Sequence, residues 1–266
     1  MDEVSLTSGL TQVSCDGPVA TITLDHAQKR NALSAPLVAE LIARLQALEA
    51  ARTRVVILRA KPGSLVWSSG HDMNELPVDG RDPLGWTDPL RELVRSIENF
   101  QAPVIAMVDG GVWGGAVEVV LACDIIIASP DATFAMTAAK LGVPYNVSGM
   151  MTFMSAASLR IVKELTFTAA PISATRAERV GMINHVVPLA SLEAFTLEMA
   201  HNIAANAPLS IAVMKAQLRV LAGAKPLTPR CFEEVQGLRR VVYDSGDYHE
   251  GLRAFKEKRK PDFTGA

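Results

Sequence analysis

The amino-acid sequence predicts an α/β protein, and two observations lead to that prediction. Short apolar runs alternate with segments of helical periodicity as far as about Val187, which favours helices layered on a sheet. From Leu189 onward the apolar spacing is helical only. We therefore predict an α/β core over residues 1–188 and a helical region over residues 189–266.

The individual elements follow from local signals along the chain. Alternating apolar and polar residues predict a hairpin over Val13–Leu24. Helical spacing predicts a helix over Ser34–Arg52, with Ser34 as its N-cap. Pro77–Pro89, rich in Gly, Asp and Pro, is predicted to be a surface loop, and Leu90–Asn99 an amphipathic helix. The other predicted strands are Val55–Arg59, Pro103–Val108, Ile125–Ala128, Thr133–Ala135 and Asn184–Val187, and the other predicted helices are Ala116–Ala122, Ser155–Thr166 and Ser173–Val180.

Composition excludes several classes of protein. The net charge of -2 over 266 residues argues against a nucleic-acid binder, which usually needs a basic face. We expect no membrane span, because no apolar run reaches the required length of about 18 residues. Five histidines without metal-ligand spacing predict no metal site. Three widely spaced cysteines and a polar, acidic Met1–Leu10 predict a cytoplasmic protein without a signal peptide.

Two glycine-containing turns are the most informative segments. Val108–Glu118 follows an apolar strand, turns at paired glycines and opens an apolar helix. Ser68–Leu76 has the same order of features: a strand, then Gly70, then polar residues that are predicted to open a helix. Such turns bring backbone N–H groups close to a ligand. Two of them can direct two amides at one oxygen and form an oxyanion hole. Without an obvious Ser or Cys nucleophile, this arrangement indicates enolate chemistry.

The order of these and other signals resembles the crotonase superfamily of acyl-CoA enzymes. The resemblance covers nearly the whole chain and is specific because many segments occur in the family's order. It implies a spiral core of strand–strand–helix repeats, a C-terminal helical trimerisation region that also covers CoA, and a trimer or dimer of trimers. It also implies an acyl-CoA thioester as substrate. The matching segments are Lys29–Ser34, Ser69–Asp72, Asp109–Glu118, Cys123-Asp124, Phe134, Leu141–Pro144, Ala170–Gly181 and Phe255–Phe263.

Some segments resemble the decarboxylating branch of that superfamily. This resemblance implies conversion of methylmalonyl-CoA to propionyl-CoA without a cofactor, because the thioester itself is the electron sink. The segments are His71-Asp72, Leu76–Leu90, Val112–Gly115, Met136-Thr137, Leu141–Asn146 and Glu257–Pro261.

The resemblance also assigns roles to residues of the two turns. It implies that the backbone amides of His71 and Gly115 hold the thioester oxygen. Only the amide of His71 is needed for this, so we expect no chemical role for its imidazole. Ser69, Gly70, His71, Asp72 and Met73 are expected to run along the CoA. The alternative for Gly114 and Gly115 is tight packing of a helix on a strand.

Glu118 and Tyr145 separate a decarboxylase from a hydratase. Hydratases of the superfamily use two glutamates as acid and base, and Glu118 stands at the place of one while Ala138 stands at the place of the other. Glu118 is left with two interpretations: it orients a water or a neighbouring side chain, or it stabilises the helix dipole. The Tyr145 hydroxyl is expected to donate a hydrogen bond to the departing carboxylate. Its alternative is a wall residue.

The remaining candidates are peripheral to the chemistry. Trp113 is expected to wall the acyl pocket or to pack in the core, and Thr137 to contact the acyl group or to serve as an ordinary strand former. Lys258 resembles the family's lysine near the CoA phosphates, although basic runs are usually solvated. Lys29 and Arg30 are further candidates for the phosphates. The rival functions are an enoyl-CoA hydratase or isomerase and a non-catalytic acyl-CoA-binding oligomer.

Overall fold

The strands described in this protein form two sheets, and from β3 to β8 successive strands alternate between the two. The computed structural model describes residues 9–77, 85–222 and 229–264. The strands of these residues are β1 (Thr11–Asp16), β2 (Val19–Leu24), β3 (Val55–Ala60), β4 (Val66–Ser68), β5 (Val104–Val108), β6 (Gly111–Trp113), β7 (Ile125–Ala128), β8 (Thr133–Ala135), β9 (Ile172–Ser173) and β10 (His185–Val186). The α-helices are α1 (Ala35–Ala50), α2 (Pro89–Asn99), α3 (Gly115–Ala122), α4 (Val147–Ala156), α5 (Leu159–Thr168), α6 (Ala174–Arg179), α7 (Leu189–Ala204), α8 (Pro208–Ala222), α9 (Pro229–Tyr243) and α10 (Gly246–Lys256).

The larger sheet has the order β1-β2-β3-β5-β7-β10, and the smaller has the order β4-β6-β8-β9. The β1–β2 and β8–β9 pairs are antiparallel, whereas the other pairs are parallel. In each of the pairs β3/β4, β5/β6 and β7/β8, the first strand joins the larger sheet and the second joins the smaller. Helical segments follow each pair. The chain therefore advances as a spiral of strand–strand–helix repeats, which confirms the predicted fold class.

Helices cover both faces of the larger sheet. Every residue of β3 and β5 is buried, as expected for parallel strands with packing on both sides. Alternate residues such as Val56 and Leu58 belong to the core under α1, α2 and α3. Ile57 and Met107 point to the opposite face and pack in a second cluster with α7. The central strands are thus rigid supports for the loops at their ends.

A third apolar cluster joins the C-terminal helices to the loops of the core. Tyr243 and Tyr248 are fully buried in it. The Tyr248 hydroxyl donates to the carbonyl of Pro77 at 2.6 Å, and the Tyr243 hydroxyl donates to that of Pro144 at 3.3 Å. Gly142 has φ +67, and a Cβ there would lie 2.8 Å from the Asp247 carbonyl. Helices α9 and α10 therefore hold the turn that precedes Tyr145.

Several predicted elements are confirmed, and two are wrong. The hairpin and the helix Leu90–Asn99 correspond to β1–β2 and α2. The predicted helix Ser155–Thr166 is instead the end of α4 and most of α5, because Ala157 is extended and breaks the helix. The polar residues after Gly70 open only a 3-10 turn, Met73–Glu75, capped by the Asp72 side chain.

Two further predictions need qualification. Ser34 is the N-cap residue of α1, but its side chain makes no capping hydrogen bond. The Glu75 carboxylate accepts from the Ala35 amide instead, at 2.8 Å. The predicted loop Pro77–Pro89 lies mostly outside the described residues, and its last residue is the first of α2. None of the described helices has the length and apolarity needed to cross a membrane.

Candidate active site

A cavity of about 580 Å³ opens between the loop after β4, the start of α3 and the segment after β8. Leu90 and Phe255, from α2 and α10, also line it. Most of the predicted site residues share this cavity, although they come from four separate segments of the chain. The ones that line it are Lys29, Arg30, Ser69, His71, Asp72, Met73, Trp113, Gly114, Gly115, Glu118, Thr137, Ala138 and Tyr145.

The loop after β4 is held by the segment Lys29–Ser34. The Leu33 amide donates to the Gly70 carbonyl at 2.8 Å, and the Ser69 amide donates to the Arg30 carbonyl at 3.0 Å. The Ser68 hydroxyl donates to the Asn31 carbonyl at 2.7 Å. Backbone and hydroxyl bonds of this kind fix the direction of the following amides. The segment matched to the family thus positions Ser69–Asp72.

The second turn brings the start of α3 against Gly70. Gly114 has φ +56, and its amide donates to the Ala135 carbonyl at 2.8 Å. A Cβ built on Gly70 would lie 2.8 Å from the Gly115 nitrogen, and one built on Gly115 would lie 3.6 Å from the His71 nitrogen. The chain can approach itself this closely only because these positions lack side chains.

The backbone amides of His71 and Gly115 are free to bind a ligand. Among the described residues, neither amide has a hydrogen-bond acceptor. The Gly115 amide is one of the first N–H groups of α3, which have no partner inside a helix. Both residues line the cavity. Two adjacent donors of this type suit an oxygen that carries negative charge.

The His71 imidazole lies between two oxygen atoms. Its Nδ1 is 3.1 Å from the Asp72 carbonyl oxygen, and its Nε2 is 3.3 Å from Oδ2 of Asp88. Burial lowers the pKa of His71, but the hydrogen bond and the charge of Asp88 outweigh it, so the pKa lies above its usual value. Asp88 also caps α2 by accepting from the Leu90 amide at 2.9 Å. The imidazole is therefore tied to the start of that helix.

Glu118 forms a buried ion pair with Arg91 of α2. Its side chain is 1% exposed and that of Arg91 is 7% exposed. The pair is therefore shielded from solvent. In such surroundings, removing either partner leaves the other as an uncompensated buried charge. Glu118 lines the cavity, but its charge is already compensated by the guanidinium.

Tyr145 lines the cavity, and its hydroxyl is buried behind that surface. Its ring is only partly buried and packs edge-on against Phe153, with centroids 4.9 Å apart. The hydroxyl oxygen itself is inaccessible to solvent and has no hydrogen-bond partner in the described residues. Burial raises the pKa of the phenol, and the nearby Ala138 backbone offsets this only in part. The hydroxyl is thus a neutral donor near neutral pH, and an unpaired buried polar group is costly.

The other candidates fall into two groups. The Trp113 indole packs over Gly111, and the Thr137 hydroxyl faces Gly114: a Cβ at Gly114 would lie 3.2 Å from Thr137 Oγ1. Both side chains line the cavity. Lys258 is exposed, follows the end of α10 and is not among the residues that line the cavity.

Sequence reasoning missed two residues, Asp88 and Arg91. Asp88 precedes Pro89, a cap signal, but nothing local connects it to His71. Arg91 lies in a helix that was predicted only to be amphipathic. Its neighbours Leu90, Val94 and Ile97 are buried, so an arginine at the edge of that apolar face was the one available signal.

Comparison with known proteins identifies the family of this chain. The chain matches the enoyl-CoA hydratase/isomerase family over residues 15–266. It is 52% identical to the methylmalonyl-CoA decarboxylase of Escherichia coli (strain K12) over 247 residues, or 93% of this chain and 95% of that protein. A structure of methylmalonyl-CoA decarboxylase in complex with 2-nitronate-propionyl-CoA is 50% identical with a TM-score of 0.96, covering 98% of this chain and 100% of that chain.

A structure of the decarboxylase with 2S-carboxypropyl CoA is 49% identical and has a TM-score of 0.96. It covers 98% of this chain and 100% of that chain. The match therefore extends over the whole spiral and the C-terminal helices. The chain belongs to the enoyl-CoA hydratase/isomerase family, the crotonase superfamily.

Proposed function

We propose that this enzyme decarboxylates methylmalonyl-CoA to propionyl-CoA through an enolate. The observation that carries the proposal is the presence of two unpartnered amides in a single cavity that Tyr145 also lines. The 52% identity to the Escherichia coli decarboxylase supports the same substrate.

The amides of His71 and Gly115 would hold the thioester oxygen. When CO2 leaves, the electrons of the broken C–C bond move into the thioester and charge collects on that oxygen. Fixed amides stabilise the charge without reorganisation, and one such donor is typically worth about 3–4 kcal/mol. The thioester accepts the electrons itself, so we propose that no metal or organic cofactor takes part.

The Tyr145 hydroxyl would orient the carboxylate of the substrate. The breaking bond must stand perpendicular to the thioester plane so that the developing carbanion overlaps the carbonyl. A neutral donor from a residue that lines the cavity would fix this orientation by turning toward the carboxylate, which is a positioning effect. Thr137 lies beside the same turn and would contact the acyl group.

CoA binding is assigned to the rim of the same cavity. We propose that Ser69–Met73 run along the CoA. Lys29 and Arg30 are exposed and line the opening, so they suit the phosphates. Lys258 stays a weaker candidate, since it does not reach this cavity within one chain.

Hydration of an enoyl-CoA is the alternative chemistry. It requires two acid–base groups, but Glu118 is committed to Arg91 and Ala138 cannot titrate. A non-catalytic CoA-binding protein is disfavoured by the 52% identity to a decarboxylase. Both alternatives are therefore less well supported than decarboxylation.

The direct test is incubation of the purified protein with malonyl-, methylmalonyl-, ethylmalonyl- and crotonyl-CoA, with products followed by mass. We expect propionyl-CoA from methylmalonyl-CoA, with no effect of a chelator. Hydration of crotonyl-CoA without any decarboxylation would overturn the proposal.

We expect Tyr145→Phe to lower kcat for methylmalonyl-CoA by roughly ten- to a hundredfold. The variant loses one hydrogen bond to a charged group, worth about 1.5–3 kcal/mol, and keeps the shape of the wall. Binding of propionyl-CoA, which has no carboxylate, should barely change and is the matched control. A parental rate in Tyr145→Phe would make the hydroxyl a bystander.

We also propose that residues 189–266 assemble the protein into a trimer or a dimer of trimers. Helix α8 has no buried residue, although it carries several large apolar side chains. They are 52–79% exposed, and a further copy of the chain would cover them. The side chains are Leu209, Val213, Met214, Leu218, Val220 and Leu221.

Light scattering at micromolar concentration should therefore report three or six copies. Replacing Leu218 and Leu221 with aspartate should shift the mass toward that of a single chain. A monomeric parent protein would contradict this assignment.

A cytoplasmic location is the last part of the proposal. Cys15 is exposed and Cys123 is buried, and neither forms a disulfide. Burial raises the pKa of the Cys123 thiol, which makes it an unreactive core residue. This cysteine usage suits a reducing compartment.

A further inference from the structure

We propose that His71 contributes more than its amide: its side chain is held as an imidazolium ion that stabilises the enolate oxygen. The inference rests on the proposed decarboxylation, because the charge acts on the enolate formed there. The sequence assigned no chemical role to this ring.

The first argument is hydrogen-bond geometry. Both ring nitrogens of His71 face oxygens: the Asp72 carbonyl at 3.1 Å and Asp88 Oδ2 at 3.3 Å. A carbonyl can only accept, and so can an ionised carboxylate. The Asp88 carboxylate is further fixed as an acceptor by the Leu90 amide, which donates to its other oxygen. A neutral imidazole would direct one lone pair at an acceptor, whereas an imidazolium satisfies both contacts.

The second argument is the orientation of the ion pair. His71 lines the cavity, while its partner Asp88 does not. The two side chains are 15% and 9% exposed, so solvent screens the pair weakly. The residue that would carry the positive charge thus borders the cavity, whereas its carboxylate partner belongs to the start of α2.

The other charged groups around the His71 ring do not oppose a positive charge on it. Asp72 and Glu75 come from its own segment, and the charge of Glu75 favours the cation. Arg91 of α2 and Glu118 of α3 neutralise each other. The remaining cations of the cavity wall are Lys29, Arg30 and Lys140, all of them exposed.

A cation at this place favours the transition state over the bound substrate. Decarboxylation moves negative charge from the substrate carboxylate to the thioester oxygen, and that oxygen is the one the His71 amide would bind. Only interactions that strengthen in the transition state raise the rate of the chemical step. Both N–H groups of the ring are occupied, so the imidazolium acts as a fixed charge rather than as the proton donor to the enolate.

The charge can be measured without any substrate. The chain has five histidines, so ring-labelled histidine gives few NMR signals, and comparison with His71→Gln identifies the one from His71. The decisive variant is Asp88→Asn: its single amide oxygen can still cap α2, whereas its NH2 group, an uncharged donor, then faces Nε2 in place of the carboxylate. The matched control is Asp16→Asn, which removes the carboxylate of a surface pair: Asp16 accepts from His201 at 2.9 Å, away from the cavity residues.

We expect the parent His71 to stay charged at neutral pH and to titrate above the ordinary histidine range. A raised pKa means that the charge is present at low pH and is lost as the pH rises through that value. The rate of decarboxylation should therefore fall on the alkaline side. In Asp88→Asn the titration of the His71 ring and the alkaline fall of the rate should both move to lower pH. The rate at about pH 7.5 should be about tenfold lower, which is the effect expected from the loss of one nearby charge. Asp16→Asn should match the parent.

Two results would overturn the inference. An NMR signal showing that the His71 ring is neutral at pH 7 in the free protein would refute the proposed imidazolium ion. The second result is a charged His71 together with equal decarboxylation rates in the parent and Asp88→Asn at every pH. It would refute a catalytic effect of the charge. In that second case decarboxylation itself would still be observed, so the proposed function would stand. If the parent protein does not decarboxylate methylmalonyl-CoA, the proposed function itself is refuted. The charge would then have no role in an enolate step.

Discussion

Decarboxylation by Gly70→Ala should fall by at least about a hundredfold, because the substitution displaces both of the proposed oxyanion donors. Gly70 has φ +86, and an added Cβ would lie 2.5 Å from the Trp113 carbonyl oxygen and 2.8 Å from the Gly115 nitrogen. These are backbone atoms, so they cannot rotate away as a side chain could. The turns must separate, and the amides of His71 and Gly115 then no longer converge. Steady-state kinetics with methylmalonyl-CoA measures the loss.

Gly63→Ala is the matched control for this substitution. Gly63 also has a positive φ, +81, but nothing lies within 4 Å of an added Cβ. Both variants carry the cost of a left-handed alanine, roughly 1–2 kcal/mol, and thermal unfolding should detect it in each. Only Gly70→Ala should lose activity. Equal rates in the two variants, with both folded, would show that the approach of the two turns is unimportant for catalysis.

The free energy of unfolding should fall by about 3–5 kcal/mol in Arg91→Met, because the substitution leaves the Glu118 carboxylate buried and unpaired. The two side chains are 7% and 1% exposed, so water cannot take the place of the guanidinium. The Glu118 carboxylate also packs against α4, since a Cβ at Gly149 would lie 3.1 Å from both of its oxygens. Urea denaturation measures the difference.

Two further variants test the cause of that loss. Arg91→Met combined with Glu118→Gln removes the uncompensated charge and should recover much of the stability. Arg176→Met removes an exposed ion pair between Arg176 and Glu164. The side chains of these two residues are 44% and 45% exposed. Solvent screens exposed pairs and they contribute little to stability, so this variant should unfold close to the parent. A similar loss from Arg176→Met and Arg91→Met would mean that the burial of the Arg91–Glu118 pair has no special cost.

Local sequence signals determined most of the core. The strands Val104–Val108 and Ile125–Ala128 were predictable because parallel strands buried on both faces are continuous apolar runs. The turns at Gly70 and Gly114 were predictable because both have positive φ, which glycine adopts without strain. The break at Ala157 was not, because the apolar spacing continues through it and only the packing of two separate helices requires it.

The candidate site divides in the same way. The amides of His71 and Gly115, the position of Ala138 and the hydroxyl of Tyr145 were proposed from the resemblance to the crotonase superfamily, because short segments of the sequence carry that resemblance. The contact of His71 with Asp88 and the ion pair of Arg91 with Glu118 join residues 17 and 27 positions apart. A local pattern carries no information on such distances. The amino-acid sequence by itself therefore determined the fold class and the groups available for catalysis. Only the tertiary structure decided which of those groups are charged, paired or free, because pairing depends on where the helices pack.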